Sequence, residues 1–192
     1  MTKLMILGLT LTSTLGVLHA AEALKYDYVV IATNKTSTAE KEMNDAANAG
    51  FSFSAVMGGE TGLGGKEVVV VMSKKFGGTA AAPFRYKLLA TSKTSTLQRE
   101  LDEAGNDGFE YRGQTVFQSA FGGKEVSVIL ELDPSLSRKK LAYKLLATTR
   151  TSTMEKELRE VGGAGYEFLD VMVGNTALGG KEVISILRRY SE

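Results

Sequence analysis

ATSKTSTLQRE, residues 90–100, is written three times along this 192-residue chain. It reads ATNKTSTAEKE at residues 32–42 and ATTRTSTMEKE at residues 147–157. Superposing the three Thr-Ser-Thr triplets aligns 48 positions without a gap, at offsets of 58 and 57. The second and third copies agree at 24 of those 48, which removes chance as an explanation. The units run over residues 28–75, 86–133 and 143–190. The joints near 76–85 and 134–142 hold the chain's two prolines, Pro83 and Pro134, as linkers do.

Each unit opens with a β-rich run: YVVIAT, YKLLAT and YKLLAT. The triplet then predicts a helix start. Ser37, Ser95 and Ser152 are each followed three residues on by Glu40, Gln98 or Glu155, the spacing of a capping box. Ala39, Met43 and Ala46, with their equivalents Leu97, Leu101, Ala104 and Met154, Leu158, Val161, recur at spacings of four and three along one face. Gly50, Gly108 and Gly165, each before an aromatic residue, mark the stops. The expected helices cover 38–49, 96–107 and 153–164. FSFSAVM, FEYRGQTVF and YEFLDVMV then read as second strands. Paired glycines turn the chain into the third strands VVVVM, VSVIL and VISIL. The unit is βαββ.

Both faces of these strands are largely apolar: Val68, Val70 and Met72 point one way, Val69 and Val71 the other. One helix covers one face of its sheet, and a unit near 50 residues is marginal by itself. The expected α+β architecture therefore turns three antiparallel sheets inward around a pseudo-threefold axis with helices outside, as a barrel or triangular core. That makes residues 24–192 a single compact domain and the protein a monomer with internal pseudo-threefold symmetry. A row of separate domains is the competing arrangement.

The first residues, MTKLMILGLTLTSTLGVLHAAEA, place Lys3 before a short apolar run and end on small residues. Residues 1–23 read as a secretory signal peptide cut after Ala23, which implies a periplasmic or secreted product with no membrane insertion after cleavage. The formal net charge of +1 argues against nucleic acid as a partner. There is no Cys, so no disulfide, and the one His, His19, falls in the predicted signal. Thiolate and imidazole chemistry, including zinc ligation and covalent haem attachment, is thereby excluded from the mature chain.

At YKLLAT, GYEFLDV and KEVISILRR the units resemble a widespread bacterial family of small domains of unknown function. These are usually single βαββ units with a Tyr-Lys-Val-Val-like first strand and a Gly-Trp-Glu-Leu-like segment after the helix. Phe51, Phe109 and Tyr166 stand here where that family has Trp, and Ser52 stands where the later copies have Glu110 and Glu167. The resemblance implies the fold of each unit and no activity. The order of elements is also similar to dodecin, a flavin-binding βαββ oligomer, by analogy of fold alone.

Thirteen positions are identical in all three copies, Tyr28, Ser37, Lys66 and Glu67 among them, and this agreement ranks the candidate sites. Lys35, Lys93 and Arg150 stand just before the triplets. With Ser37, Ser95 and Ser152 they could hold a phosphate, sulfate or carboxylate at a helix start, against the plainer reading of a cap. Lys66, Lys124 and Lys181, each followed by Glu (Glu67, Glu125, Glu182), would form a charged ring under threefold packing, or else be solvated strand ends. Tyr28, Tyr86 and Tyr143 could stack on a flat ligand in a shared cavity, or pack beneath a helix. Glu42 and Glu67 with their copies supply acids but no unique asymmetric pair. The expected function is a non-catalytic, exported binding or interaction protein with no cofactor and no metal. The alternatives are a small-ligand carrier, possibly for an anion, and, third, a carboxylate-dependent hydrolase. The partner is a protein or small molecule of unknown identity.

Overall fold

The structure is a computed structural model that describes residues 25–60, 66–77, 83–118, 124–136, 139–175 and 181–191. The predicted signal and the three Gly-Gly hairpin tips lie outside the described residues. The first unit comprises β1 (Tyr26–Thr33), α1 (Thr36–Asn48), β2 (Ser52–Glu60) and β3 (Lys66–Lys75). The second comprises β4 (Arg85–Thr91), α2 (Thr94–Asn106), β5 (Glu110–Gln118) and β6 (Lys124–Leu132). The third comprises β7 (Leu141–Thr148), α3 (Thr151–Gly163), β8 (Glu167–Asn175) and β9 (Lys181–Tyr190). Each unit forms its own antiparallel sheet with the last strand in the middle: β1-β3-β2, β4-β6-β5 and β7-β9-β8.

The helices stop as the glycines require. Gly50, Gly108 and Gly165 adopt φ near +85 to +89°, where an L side chain is strained. The amide of Gly50 donates to Ala47 O and that of Phe51 to Ala46 O, the paired bonds of a Schellman motif; Phe109 and Tyr166 donate likewise to Ala104 O and Val161 O.

The helix starts differ from the capping-box expectation. The helices begin two residues earlier, with Lys35, Lys93 and Arg150 at the N-cap positions and no side-chain cap bond. The turn into each helix is instead held from behind. Thr33, Thr91 and Thr148 hydroxyls accept from the amides of Lys35, Lys93 and Arg150 at 3.2, 3.1 and 3.3 Å. Glu40 and Gln98, assigned to the box, point elsewhere, because they have better partners in the next unit.

The sheets do not close into a barrel, so the expected pseudo-threefold axis is overturned. The units dock in series. Ala39, Met43 and Ala47 of α1 are buried between Ile31, Val68, Val70 and Met72 of the first sheet and Tyr86, Leu88 and Ile129 of the second. Leu97, Leu101 and Ala104 of α2 lie likewise between Leu89, Val126, Val128 and Leu130 of the second sheet and Leu141, Tyr143, Ile184 and Ile186 of the third. Each of these two helices therefore serves two sheets, its own and the next. A helix is a layer about 10 Å thick, and one with small residues on its outer stripe can be apolar on both sides. That possibility removes the need for three sheets to meet. Full burial of side chains such as Tyr86 or Leu141 stabilises the junctions by roughly 1.5–3 kcal/mol each.

Candidate functional site

Each junction is built the same way. The free edge of a first strand lies along the preceding helix, whose side chains complete its backbone hydrogen bonds. Asn44 of α1 receives the amide of Tyr86 on Oδ1 at 2.9 Å and donates to Tyr86 O at 2.9 Å, while Glu40 Oε2 accepts from the amide of Leu88 at 2.9 Å. At the second junction Gln98 of α2 donates to Tyr143 O at 3.0 Å and accepts from the amide of Leu145 at 2.8 Å. The fit is close. A Cβ on Gly105 of α2 would lie 2.3 Å from Leu141 O, so only glycine admits β7 at that distance.

Tyr86 and Tyr143, almost wholly buried, anchor the two junctions. The Tyr86 hydroxyl donates to Glu131 Oε2 at 2.6 Å and accepts from the amide of Phe53 at 2.8 Å; the Tyr143 hydroxyl donates to Phe109 O at 2.8 Å. Tyr111 donates to Asp170 Oδ2 at 2.8 Å across the second junction. Burial drives all three phenols well above their usual ionisation range, reinforced at Tyr86 and Tyr111 by the carboxylate each faces. These tyrosines are structural donors held neutral.

Beneath Tyr86, the buried Glu131 also takes a two-nitrogen grip from Arg112, with Nη2 and Nε on Oε1 at 2.6 and 2.8 Å. Arg112 is the extra residue of a β-bulge between Tyr111 and Gly113, which turns it toward β6. The equivalent of Glu131 in the third unit is Arg188, which pairs with Glu110 at 3.2 Å and Glu167 at 3.4 Å. Glu110, Arg112 and Glu131 border a cavity of about 360 Å³ that is also lined by Asp133, Lys139 and Tyr190. Asp133 accepts from the backbone amide and hydroxyl of Ser135, and Lys139 lies 5.2 Å over the Tyr190 ring. Each charged group of this cavity thus already has a partner within the protein.

The other residues singled out in the sequence do not converge. Lys35, Lys93 and Arg150, with the exposed Ser37, Ser95 and Ser152, mark three separate helix starts along the series. Lys66, Lys124 and Lys181 begin three separate third strands, each exposed, and without a closed barrel they form no ring around an axis. The three tyrosines line no shared cavity: two seal junctions, and Tyr28 stands open. Among the described residues no cluster of acidic side chains could hold a metal ion, and no helix is long and apolar enough to cross a membrane.

The sequence reading missed the ends of the series. Among the described residues no helix lies over the far face of the first sheet, which exposes Tyr26, Tyr28, Val30 and Met57. In the third unit, none of the residues of α3 is buried, and β8 exposes Phe168, Val171 and Val173 on the side that faces α3. Ten large apolar side chains are exposed among the described residues, and these two faces hold seven of them. The signal was in the alignment. Tyr28, identical to Tyr86 and Tyr143, has no preceding helix among the described residues to cover it.

Comparison with family models, with curated proteins and with solved structures returns no match to this chain. The likeness to the single-unit βαββ family rests on the sequence motifs alone.

Proposed function

We propose that this is an exported, non-catalytic interaction protein whose working surfaces are the two uncovered apolar faces at the ends of its repeat series. The observation that carries the reading is the concentration of exposed apolar side chains on those faces. Monomeric proteins seldom leave such patches bare, and repeat arrays that stand alone close their ends with polar units. The tyrosines, carboxylates and arginines of the interior support it from the other side, since their polar atoms are engaged in holding units together. Without a closed barrel the small-ligand alternative loses the axial cavity on which it depended.

A photo-crosslinking residue placed at position 30 or 171, with one on the exposed polar side of α3 at position 156 as control, tests this in the producing cell. Adducts are expected at 30 and 171 and not at 156. The reading fails if the two faces give no adducts, or give no more than the control does.

A further inference from the structure

The two exposed faces carry the residues equivalent to the two sides of an internal junction. At each internal junction a first strand and its sheet's far face dock on the preceding helix and second strand. The sheet that follows α1 brings Phe84, Tyr86 and Leu88, and the sheet that follows α2 brings Leu141, Tyr143 and Leu145. The corresponding residues of β1 are Tyr26, Tyr28 and Val30, which are exposed. On the receiving side, Phe53 and Val56 of β2 are packed against one core and Tyr111 and Val116 of β5 against the other. Their counterparts on β8 are Phe168, Val171 and Val173, also exposed. The molecule contains two complete junctions and, at its opposite ends, both parts of a third.

Polar and steric details agree. Glu155 of α3 occupies the position from which Glu40 accepts the Leu88 amide and Gln98 the Leu145 amide, so it can accept from the amide of Val30. Arg159 occupies the position of Asn44, which donates to Tyr86 O; an arginine there can donate to Tyr28 O and sit against Asp27. Asp27 Oδ1 already caps the Tyr28 amide at 2.9 Å, the one bond that Arg159, lacking an acceptor, could not supply. Gly162 corresponds to Gly105, where backbone of the incoming strand reaches the helix surface, and the space beside Gly162 is open. An exposed glycine inside a helix costs stability, and a docked strand gives it a use.

We propose that the protein associates head to tail with itself, the far face of the first sheet of one molecule docking on α3 and β8 of the next in the geometry of the internal junctions. This rests on the proposed function, and it names the partner. The contact is heterologous, so it generates a ring if its rotation closes and an open filament if it does not.

Sedimentation velocity across a concentration series of the purified chain tests it with two single variants at exposed positions, Val30→Asp for the head and Val173→Asp for the tail. The parent is expected to give either a ladder of species growing with concentration or one closed oligomer. Each variant alone should remain monomeric, because an unpaired charge in the contact weakens it at least about 100-fold. An equimolar mixture of the two should give a dimer and nothing larger, since one intact head and one intact tail remain. A second pair, Tyr28→Ser and Val171→Ser, replaces the first if circular dichroism shows either aspartate variant unfolded. A parent monomeric at every concentration, a variant that still assembles alone, or a mixture that stays monomeric each overturns the proposal. If crosslinks at 30 and 171 then lead to other proteins, self-association is wrong and the interaction reading stands; if there are none, both fall.

Discussion

Tyr28 and Tyr143 are the same residue at the same place in two copies of one unit, yet one is 61% exposed and the other 2%. Their own strands, sheets and helices match. What differs is the preceding helix: α2 lies over Tyr143, and no helix precedes β1 among the described residues. Burial in this protein is therefore a property of the junction, and a unit acquires its second covered face only from its neighbour. The same contrast repeats at the receiving end, where α1 and α2 each hold residues with almost no exposure and α3 holds none.

The sharpest way to break that comparison is at the glycines. Gly105→Ala puts a Cβ against Leu141 O and is expected to cost about 3 kcal/mol. Gly162→Ala, the equivalent change in α3, meets open space and is expected to stabilise the dilute protein by about 0.5–1 kcal/mol. Chemical denaturation of both variants measures the difference, and equal effects would mean the junction is not as described.

Next in size is Tyr86→Phe, which removes the donor to Glu131 and the acceptor for Phe53 N in a buried setting. It is expected to cost about 1–3 kcal/mol, whereas Tyr28→Phe should stay within about 0.5 kcal/mol. At the position where the first and third units carry Val56 and Val171, the second carries Gln114, with both amide atoms buried and without a partner. Gln114→Val is expected to raise stability by about 1–2 kcal/mol, read as an increase in the denaturation midpoint.

The three buried phenols also set a pH dependence. Their ionisation is shifted upward in the folded state from the ordinary value of 10.0. The stabilisation from keeping them neutral is complete below about pH 10, and it is lost as pH rises beyond that toward the raised folded values. Melting temperatures should hold near pH 8 and fall by several degrees by about pH 11. Tyr143→Phe should flatten that fall. The smallest effect concerns the triplet itself. Ser95→Ala, which would cost about 1 kcal/mol if Ser95 capped α2, is expected to change stability by less than about 0.5 kcal/mol, since the helix has no side-chain cap bond. A larger loss would restore the capping reading.

Much of the unit was legible. Gly50, Gly108 and Gly165 announced helix ends because a positive φ is a local demand, and the unbroken apolar run from Val68 to Met72 announced a strand apolar on both faces, of which α1 covers the one bearing Val68, Val70 and Met72. The Thr-Ser-Thr helix starts were found but given the wrong cap. Glu40 and Gln98 fit a capping box by spacing alone, while their partners, the Leu88 and Leu145 amides, lie more than forty residues away. The candidate rings of lysines and tyrosines were conditional on an axis, and they dispersed with it.

The sequence by itself determined three βαββ units, where each helix stops, and that the third strands are apolar on both faces. Tertiary structure alone decided what lies against those faces, because hydrophobic burial rewards area without specifying the surface opposite. The choice between sheets meeting at an axis and a helix wedged between successive sheets turns on close approach such as that of the Leu141 carbonyl to Gly105, a matter of ångströms that no hydrophobic pattern encodes.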